Sequence, residues 1–270
     1  MKLISKILRE NFTKSACSFI PFITAGYPNI ELTIKTIIAL DKEGADLIEL
    51  GIPYSDALAD GPLIQEASKY AIEHGINIDK VIHIIKCLNN KINTPIIIFT
   101  YYNPILVRGL YSFIDEISAI GIKGLIIPDL PFEEADYLVD ICNLFDVELI
   151  LFISPTSSNQ RIHTIVNKAP GSLYLVSSTG VTGVRESIDD KALDLSKVAF
   201  DFNDKMIMIG FGISSPSHVR KILEYRQTIH GVVVGSAFTL IFSKYIKDNS
   251  FDIIENVRIL CRSMKVATIS

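Results

Sequence analysis

Eight short apolar segments, each followed by a segment with apolar residues at helical spacing, run through the sequence from Ser18 onward. Continuously apolar runs of this length are typical of strands buried on both faces of a parallel sheet. Eight strand–helix units in about 250 residues match a closed (β/α)8 barrel better than an open doubly wound sheet. No GxGxxG follows the first strand, which argues against a dinucleotide-binding fold. The predicted strands, some with the start of the following loop, are Ser18–Pro28, Asp46–Pro53, Thr94–Pro104, Gly124–Pro131, Glu148–Pro155, Ser172–Gly180, Met206–Gly212 and Gly231–Ala237.

The helical segments begin and end with the residues that such helices favour, for example Pro62 at a start and Gly44 or Gly75 at an end. No linker, low-complexity tract or charge block divides the chain. We therefore expect a single α/β domain over residues 1–270, a TIM barrel with an additional N-terminal helix and extra helices. The predicted helices are Met1–Ser15, Glu31–Ala45, Pro62–Gly75, Asn77–Lys91, Leu110–Ile120, Phe132–Phe145, Ser158–Ala169, Leu193–Asp204, Pro216–Gln227, Ala237–Lys247 and Phe251–Ala267.

The charge and cysteine content exclude several classes of protein. The net charge is −4 and no basic stripe occurs, so we expect no nucleic-acid partner. No run approaches the roughly 18 apolar residues that cross a bilayer, so we expect no membrane association. The cysteines are scattered without metal-ligand spacing, which indicates free thiols. They are Cys17, Cys87, Cys142 and Cys261.

The segment Asp46–Pro62, DLIELGIPYSDALADGP, carries the clearest chemical signal. Glu49 lies in the middle of a buried strand, where an unpaired ionised carboxylate costs several kcal/mol. Asp56 and Asp60 follow in a loop that can face the same cavity, which suggests an acid–base pair with separated pKa values. The alternative is that Glu49 pairs with a Lys or Arg and that the two aspartates are ordinary turn residues.

Glycine and serine residues cluster after the last strands. They are Gly212, Gly235 and Ser236, and Gly180 and Gly183 follow the sixth strand. Glycines let backbone N–H groups approach phosphate oxygens, and a helix that starts near Ser236 directs its positive dipole end at the anion. These loops lie at one end of the predicted barrel, where active sites of such barrels are found. We favour a phosphate site over the alternative that the glycines only permit tight turns.

Residue types missing from the strand ends narrow the chemistry further. The histidines fall on predicted helices or ahead of the last strand, so a His/Asp metal site lacks its ligands. No lysine stands at a strand end, where a Schiff-base enzyme would need one. The remaining interpretation is metal-free acid–base chemistry by carboxylates on a phosphorylated, largely apolar substrate.

The segment ELGIPYSDALADGP resembles the signature of the tryptophan synthase α-subunit family. The segments PFITAGYP, YYNPI, PDLP, SSTGVTG, GFGIS and GSA occur in the order in which that family has its matching loops. The resemblance covers essentially the whole chain. It implies a (β/α)8 lyase that cleaves indole-3-glycerol phosphate to indole and glyceraldehyde 3-phosphate by a retro-aldol reaction.

The resemblance also implies roles and partners. Indole would pass to a pyridoxal-phosphate β subunit in an α2β2 tetramer, and this chain itself would hold no cofactor. One residue departs from the family pattern, since Ala57 replaces the usual Pro after SD, and we expect a looser acidic loop there. The implied residues are Glu49 as general acid–base, Asp60 as second carboxylate, Gly183, Gly212, Gly235 and Ser236 for phosphate, Phe22, Tyr102, Ile126, Tyr174 and Phe211 for the indole pocket, and Thr182 on a mobile loop.

Two alternatives to an α subunit remain open, a free-standing lyase on the same scaffold and a mainly regulatory barrel that binds a partner. For the location we expect the cytoplasm, or the plastid stroma if the gene is organellar. The N-terminal segment contains Glu10 and lacks an apolar core and a small-residue cleavage site, so we interpret it as a helix rather than a targeting peptide.

Overall fold

The computed structural model describes residues 2–14, 16–177, 190–202, 205–248 and 252–269. Eight parallel strands close into a barrel in which each strand pairs with its neighbours in sequence and β1 pairs with β8. The expected (β/α)8 fold is confirmed. The strands are β1 (Ser18–Thr24), β2 (Ile48–Gly51), β3 (Ile96–Phe99), β4 (Gly124–Ile126), β5 (Glu148–Ile153), β6 (Ser172–Val176), β7 (Met206–Gly210) and β8 (Gly231–Val234).

Twelve helices are found in the described parts of the chain. A 3-10 turn, Phe132–Glu134, leads into the seventh. The helices are α1 (Leu3–Thr13), α2 (Ile30–Lys42), α3 (Pro62–Glu73), α4 (Ile78–Leu88), α5 (Tyr102–Arg108), α6 (Leu110–Ala119), α7 (Ala135–Leu144), α8 (Asn159–Lys168), α9 (Asp190–Phe202), α10 (Pro216–Leu223), α11 (Ser236–Lys247) and α12 (Ile253–Ala267). None of these helices is long and apolar enough to cross a membrane.

Alternate residues of each strand face two separate apolar clusters. Phe22 of β1 belongs to the cluster inside the barrel, and its neighbour Ile23 belongs to the larger cluster between the sheet and the helices. Both are buried, which is why the strands read as continuous apolar runs rather than alternating ones. The side chains of the inner cluster fill the barrel interior, so the barrel is a packed core and not a pore.

Helix α1 closes the barrel at the amino ends of the strands. Its residues Ile4 and Leu8 are fully buried in the interior cluster. Gly124 and Gly231, the first residues of β4 and β8, leave the space for them, because a Cβ at either position would lie 3.0 Å from Ile4 or Leu8. The opposite end of the barrel remains open to a substrate.

One predicted boundary is wrong in a way that affects the site. The sequence predicts a strand over Thr94–Pro104, but β3 ends at Phe99 and α5 already begins at Tyr102. Pro104 does not break α5, because its missing N–H falls in the first turn of the helix, where no intrahelical partner exists. The backbone N–H of Tyr102 instead donates to Asp129 Oδ1 at 2.8 Å.

Candidate active site

A cavity lies at the carboxyl ends of the strands. It brings together both predicted carboxylates and three of the four predicted phosphate residues. Side chains of β1, β2, β3, β6 and β8 form its walls, and the loop after β7 and the start of α11 form its rim. The lining residues are Phe22, Glu49, Asp60, Ile64, Phe99, Tyr174, Phe211, Gly212, Ile213, Val233, Gly235 and Ser236.

Glu49 projects from β2 into this cavity and is 1% exposed. The strand register places it beside Phe22 of β1 and Ile97 of β3, so apolar side chains flank it. Within the described residues no Lys or Arg pairs with Glu49, and its Oε2 has no hydrogen-bond partner. Burial, and then the nearby charge of Asp60, raises the pKa of Glu49 well above its ordinary value. A carboxyl group with a raised pKa keeps its proton to higher pH than an ordinary glutamate, which suits it to proton transfer.

Asp60 lies in the loop between β2 and α3 and is 4% exposed. Tyr101 donates its hydroxyl hydrogen to Asp60 Oδ2 at 2.9 Å, and the same hydroxyl oxygen accepts the Ala59 N–H at 3.1 Å. Burial raises the pKa of Asp60 to about 7, against the opposing effect of the Tyr101 hydrogen bond. Asp56, in contrast, is exposed and accepts from Ser55 Oγ at 2.8 Å, as an ordinary turn residue does.

Tyr174 of β6 lines the cavity, and its side chain lies against β7. Gly210 makes room for it, because a Cβ at that position would lie 1.9 Å from the Tyr174 hydroxyl oxygen. Its ring lies 5.6 Å from that of Phe211 and 4.9 Å from that of Phe152. Burial, together with Glu49, raises the pKa of Tyr174 well above its ordinary value, so the phenol stays neutral beside the carboxylates.

The loop after β7 and the start of α11 form the candidate phosphate end of the cavity. Phe211 and Gly212 both have left-handed backbone conformations, with φ of 70° and 80°. Gly235 precedes α11, and a Cβ there would lie 3.1 Å from Phe22, so a larger residue would narrow the cavity. Ser236 is the first residue of α11 and is buried. The first N–H groups of a helix have no intrahelical partner and favour an anion.

Two predicted site residues lie outside the described residues, and two others lie away from the cavity lining. Thr182 and Gly183 fall in residues 178–189, which the structure does not describe. Ile126 is fully buried in the cluster inside the barrel. Tyr102 is partly buried and packs against the outer cluster between sheet and helices.

The sequence interpretation missed Tyr101 and Phe99, and it also missed the apolar lining residues Ile64, Ile213 and Val233. Tyr101 and Phe99 both belong to the interior cluster, and the Phe99 ring packs edge-on against Phe22 at 5.5 Å. Strand periodicity gives the signal for these two residues, because Ile97, Phe99 and Tyr101 alternate toward the interior. The prediction chose Tyr102, which is one residue out of this register.

Comparison with known proteins decides the family. The family model for the tryptophan synthase alpha chain matches residues 8–269. The chain belongs to the tryptophan synthase alpha chain family. The alpha chain of Antithamnion sp. is 54% identical over 269 residues, and that of Pyropia yezoensis is 46% identical over 270 residues, each with full coverage of both chains.

Solved structures agree with this family and with its barrel fold. Tryptophan synthase of Mycobacterium tuberculosis superposes with a TM-score of 0.90 at 25% identity, over 100% of this chain and 99% of that one. A chain of the tryptophan synthase a2b2 complex of Pyrococcus furiosus gives a TM-score of 0.84 at 34% identity, over 92% of this chain and 98% of that one. As a member of this family, the protein is a lyase of tryptophan biosynthesis that cleaves indole-3-glycerol phosphate.

Proposed function

We propose that Glu49 and Asp60 carry out the lyase reaction as a retro-aldol cleavage that releases indole and glyceraldehyde 3-phosphate. The observation that supports this most directly is the placement of both carboxyl groups, with raised pKa values, in one apolar cavity that ends at the start of α11. An indole ring suits the apolar and aromatic walls, and a phosphate suits the helix N-terminus.

The bond that breaks joins C3 of the indole to the adjacent hydroxyl-bearing carbon. Protonated Glu49 gives its proton to C3, and positive charge develops on the ring nitrogen. Ionised Asp60 stabilises that charge electrostatically. Glu49, now a carboxylate, removes the hydroxyl proton, so the O–H electrons form the aldehyde C=O and the electrons of the broken bond return to the ring. The cycle leaves Glu49 protonated again, as one group acting first as acid and then as base.

Substrate binding is assigned to the rest of the cavity and its rim. Phe22, Tyr174 and Phe211 contact the indole, and Ile126 belongs to the same interior cluster. Tyr102, which the family resemblance implies for this pocket, packs outside the barrel and is not assigned to it. Gly212, Gly235 and Ser236 bind the phosphate with Gly183, and Thr182 acts on the loop after β6. Each step of the mechanism uses a side chain, so we propose that this chain needs no cofactor and that pyridoxal phosphate belongs to the partner.

The pH dependence of indole release tests the assignment. Asp60 works ionised, so activity falls as the pH drops through its pKa of about 7. Glu49 works protonated at the start, so activity falls as the pH rises through its raised pKa. We expect a bell-shaped profile of kcat/KM, and Asp60→Asn removes the acidic limb. A profile that is flat between about pH 5 and 8 contradicts the assignment.

We also propose that the chain works in an α2β2 tetramer with a tryptophan synthase β subunit. The Pyrococcus furiosus relative is described in an a2b2 complex with mutual activation. In this chain the acidic loop and α5 carry exposed apolar side chains, since Leu58, Leu106 and Val107 are 81%, 51% and 81% exposed. Asn103 of α5 donates to the Tyr54 hydroxyl at 3.5 Å, so α5 lies beside the acidic loop. Exposed apolar side chains around a cavity mark a partner surface.

Indole release with and without a β subunit separates the remaining alternatives. Weak activity alone and strong stimulation by the partner support the tetramer. Equal activity in both conditions supports the free-standing lyase, and binding of the partner without any indole release supports a regulatory barrel. Leu58→Asp weakens the stimulation if the surface of the acidic loop and α5 is the interface, whereas Ile259→Asp on the exposed face of α12 does not.

For the location we retain the plastid stroma or the cytoplasm. The relatives include alpha chains from the algae Antithamnion sp. and Gracilaria tenuistipitata and from Synechococcus elongatus, a distribution that fits a plastid gene. Cell fractionation of the source organism, with immunodetection of the chain, distinguishes the two compartments.

A further inference from the structure

Gln65 makes two hydrogen bonds to the acidic loop that contains Asp60. Its Nε2 donates to the carbonyl oxygen of Ala57 at 3.1 Å and to that of Asp60 at 2.9 Å. Gln65 lies one turn into α3, which starts at Pro62. Helical side chains lean toward the N-terminus, so this glutamine reaches back over the first turn to the preceding loop.

The two carbonyls are the ends of the tight turn 57–60. The turn also holds a backbone bond from Asp60 N to Ala57 O at 3.0 Å. Tyr101 contacts the opposite side of the loop, where it bonds the Asp60 carboxylate and the Ala59 N–H. Tyr101 thus holds the side chain of Asp60, and Gln65 holds its backbone. Leu58, at the tip between the two fixed ends, is 81% exposed and adds no packing inside the molecule.

The alanine at position 57 makes the hydrogen bonds from Gln65 more important for the conformation of the turn. A proline at this position would restrict the turn through its ring, whereas alanine leaves φ free. The carbonyl of Ala57 accepts from both Asp60 N and Gln65 Nε2, so hydrogen bonds supply the restriction.

We propose that Gln65 is a positioning residue that keeps Asp60 at its working position in the cavity. The proposal rests on the proposed role of Asp60. Gln65 itself is solvent-exposed, does not line the cavity and touches no reacting atom. It acts only through the backbone of the loop, which places the Asp60 carboxylate opposite Glu49 and against Tyr101.

Gln65→Met tests the proposal, because it removes both donors while it keeps the side-chain length and a good helix former. The matched control is Glu66→Met, the next residue on the exposed surface of α3. We expect Gln65→Met to lower kcat at least about tenfold with little change in KM, since a displacement of about 1 Å can cost about 100-fold. We expect the control to keep kcat and KM within about twofold of the unchanged chain.

The pH profile separates positioning from a general loss of structure. Asp60 is surrounded by Glu49, Tyr101 and Tyr174, and burial is the main cause of its raised pKa. A loop released by Gln65→Met lets water reach Asp60, so its pKa falls and the acidic limb of kcat/KM moves to lower pH. Partial unfolding lowers the amount of active protein but leaves that limb in place.

Three results overturn the proposal: kcat within twofold of the unchanged chain, an equal loss in Glu66→Met, or a loss without movement of the acidic limb. If Gln65→Met does not fold, Gln65→Leu takes its place, because leucine is a good helix former, donates nothing and adds no charge beside Asp60. Asp60→Asn in the same series tests the proposed function separately. Full activity of Asp60→Asn refutes the role of Asp60, whereas its inactivity beside a fully active Gln65→Met refutes only the role of Gln65.

Discussion

Two buried glutamates at opposite ends of the barrel show how differently one residue type can be used. Glu49 and Glu148 are 1% and 0% exposed, and burial raises the pKa of both. Glu148 Oε2 accepts hydrogen bonds from the N–H of Ser5 at 3.0 Å and from its hydroxyl at 3.1 Å. No donor among the described residues reaches Glu49 Oε2 or Glu148 Oε1, so the two bonds from Ser5 are what distinguishes Glu148.

The contacts of Glu148 explain its burial as a structural feature. Ser5 lies in the first turn of α1, whose N–H groups lack intrahelical partners, and Lys2 provides no side-chain cap. Glu148 therefore caps α1 from a strand 143 positions away in the sequence. Glu49 has no comparable stabilising contact, which supports its proposed role as a carboxyl group of raised pKa.

Of all the variants, Glu49→Gln is expected to have the largest effect. We expect it to lower the activity and to leave the stability nearly unchanged. The amide cannot exchange a proton with C3 or with the hydroxyl, so we expect kcat for indole release to fall about 1,000-fold or more. Because protonated Glu49 is neutral and has nearly the same shape as Gln, we expect the free energy of unfolding to change by less than about 1 kcal/mol. Indole assays and urea unfolding measure the two quantities. A variant that loses activity only because it unfolds contradicts the comparison.

Glu148→Ala is expected to lower the stability and to leave the activity of the folded protein nearly unchanged. It removes the cap of α1 and leaves a cavity, so we expect a loss of about 2–4 kcal/mol of unfolding free energy. Under conditions where the variant is folded, kcat stays within about twofold. Ser5→Ala is the graded control, since it keeps the backbone N–H and removes only the hydroxyl bond, for about 1 kcal/mol. Equal losses in the two variants, or a large fall in kcat, would contradict a capping role.

The sequence is enough to predict that Glu49 belongs to a site, but it does not show that Glu148 has a different role. Both glutamates stand in apolar strand segments, and only the acidic loop with Asp56 and Asp60 directs attention to the first. The partner that explains Glu148 is Ser5 in a predicted helix, and nothing local in the sequence brings these two residues together. The alternation of strands and helices is sufficient to predict the barrel fold, because this fold follows from a local pattern that is repeated eight times.

The junction of β3 and α5 shows where local patterns are insufficient. Two adjacent tyrosines end the apolar run, and a one-residue change of register exchanges the inner and outer faces. Tyr101 contacts Asp60 inside the barrel, whereas Tyr102 begins a helix that the pattern did not predict. Only the alternation of Ile97, Phe99 and Tyr101 indicates the correct face, and the proline at position 104 concealed the helix start.

Tyr101→Phe and Tyr102→Phe form the matched pair for this junction, with the smallest expected effects. The Tyr101 hydrogen bond favours ionised Asp60, so its removal raises the pKa of Asp60 above about 7 and moves the acidic limb to higher pH. We expect about a tenfold loss of kcat/KM at neutral pH, equivalent to about 1.4 kcal/mol. The kcat/KM of Tyr102→Phe should stay within about twofold of that of the unchanged chain.

The acidic limb of Tyr101→Phe moves in the opposite direction to that expected for Gln65→Met. Tyr101→Phe removes a hydrogen bond from a buried carboxylate, whereas Gln65→Met lets water reach that carboxylate. Movement in the same direction in both variants would show that the two residues do not hold Asp60 in separate ways.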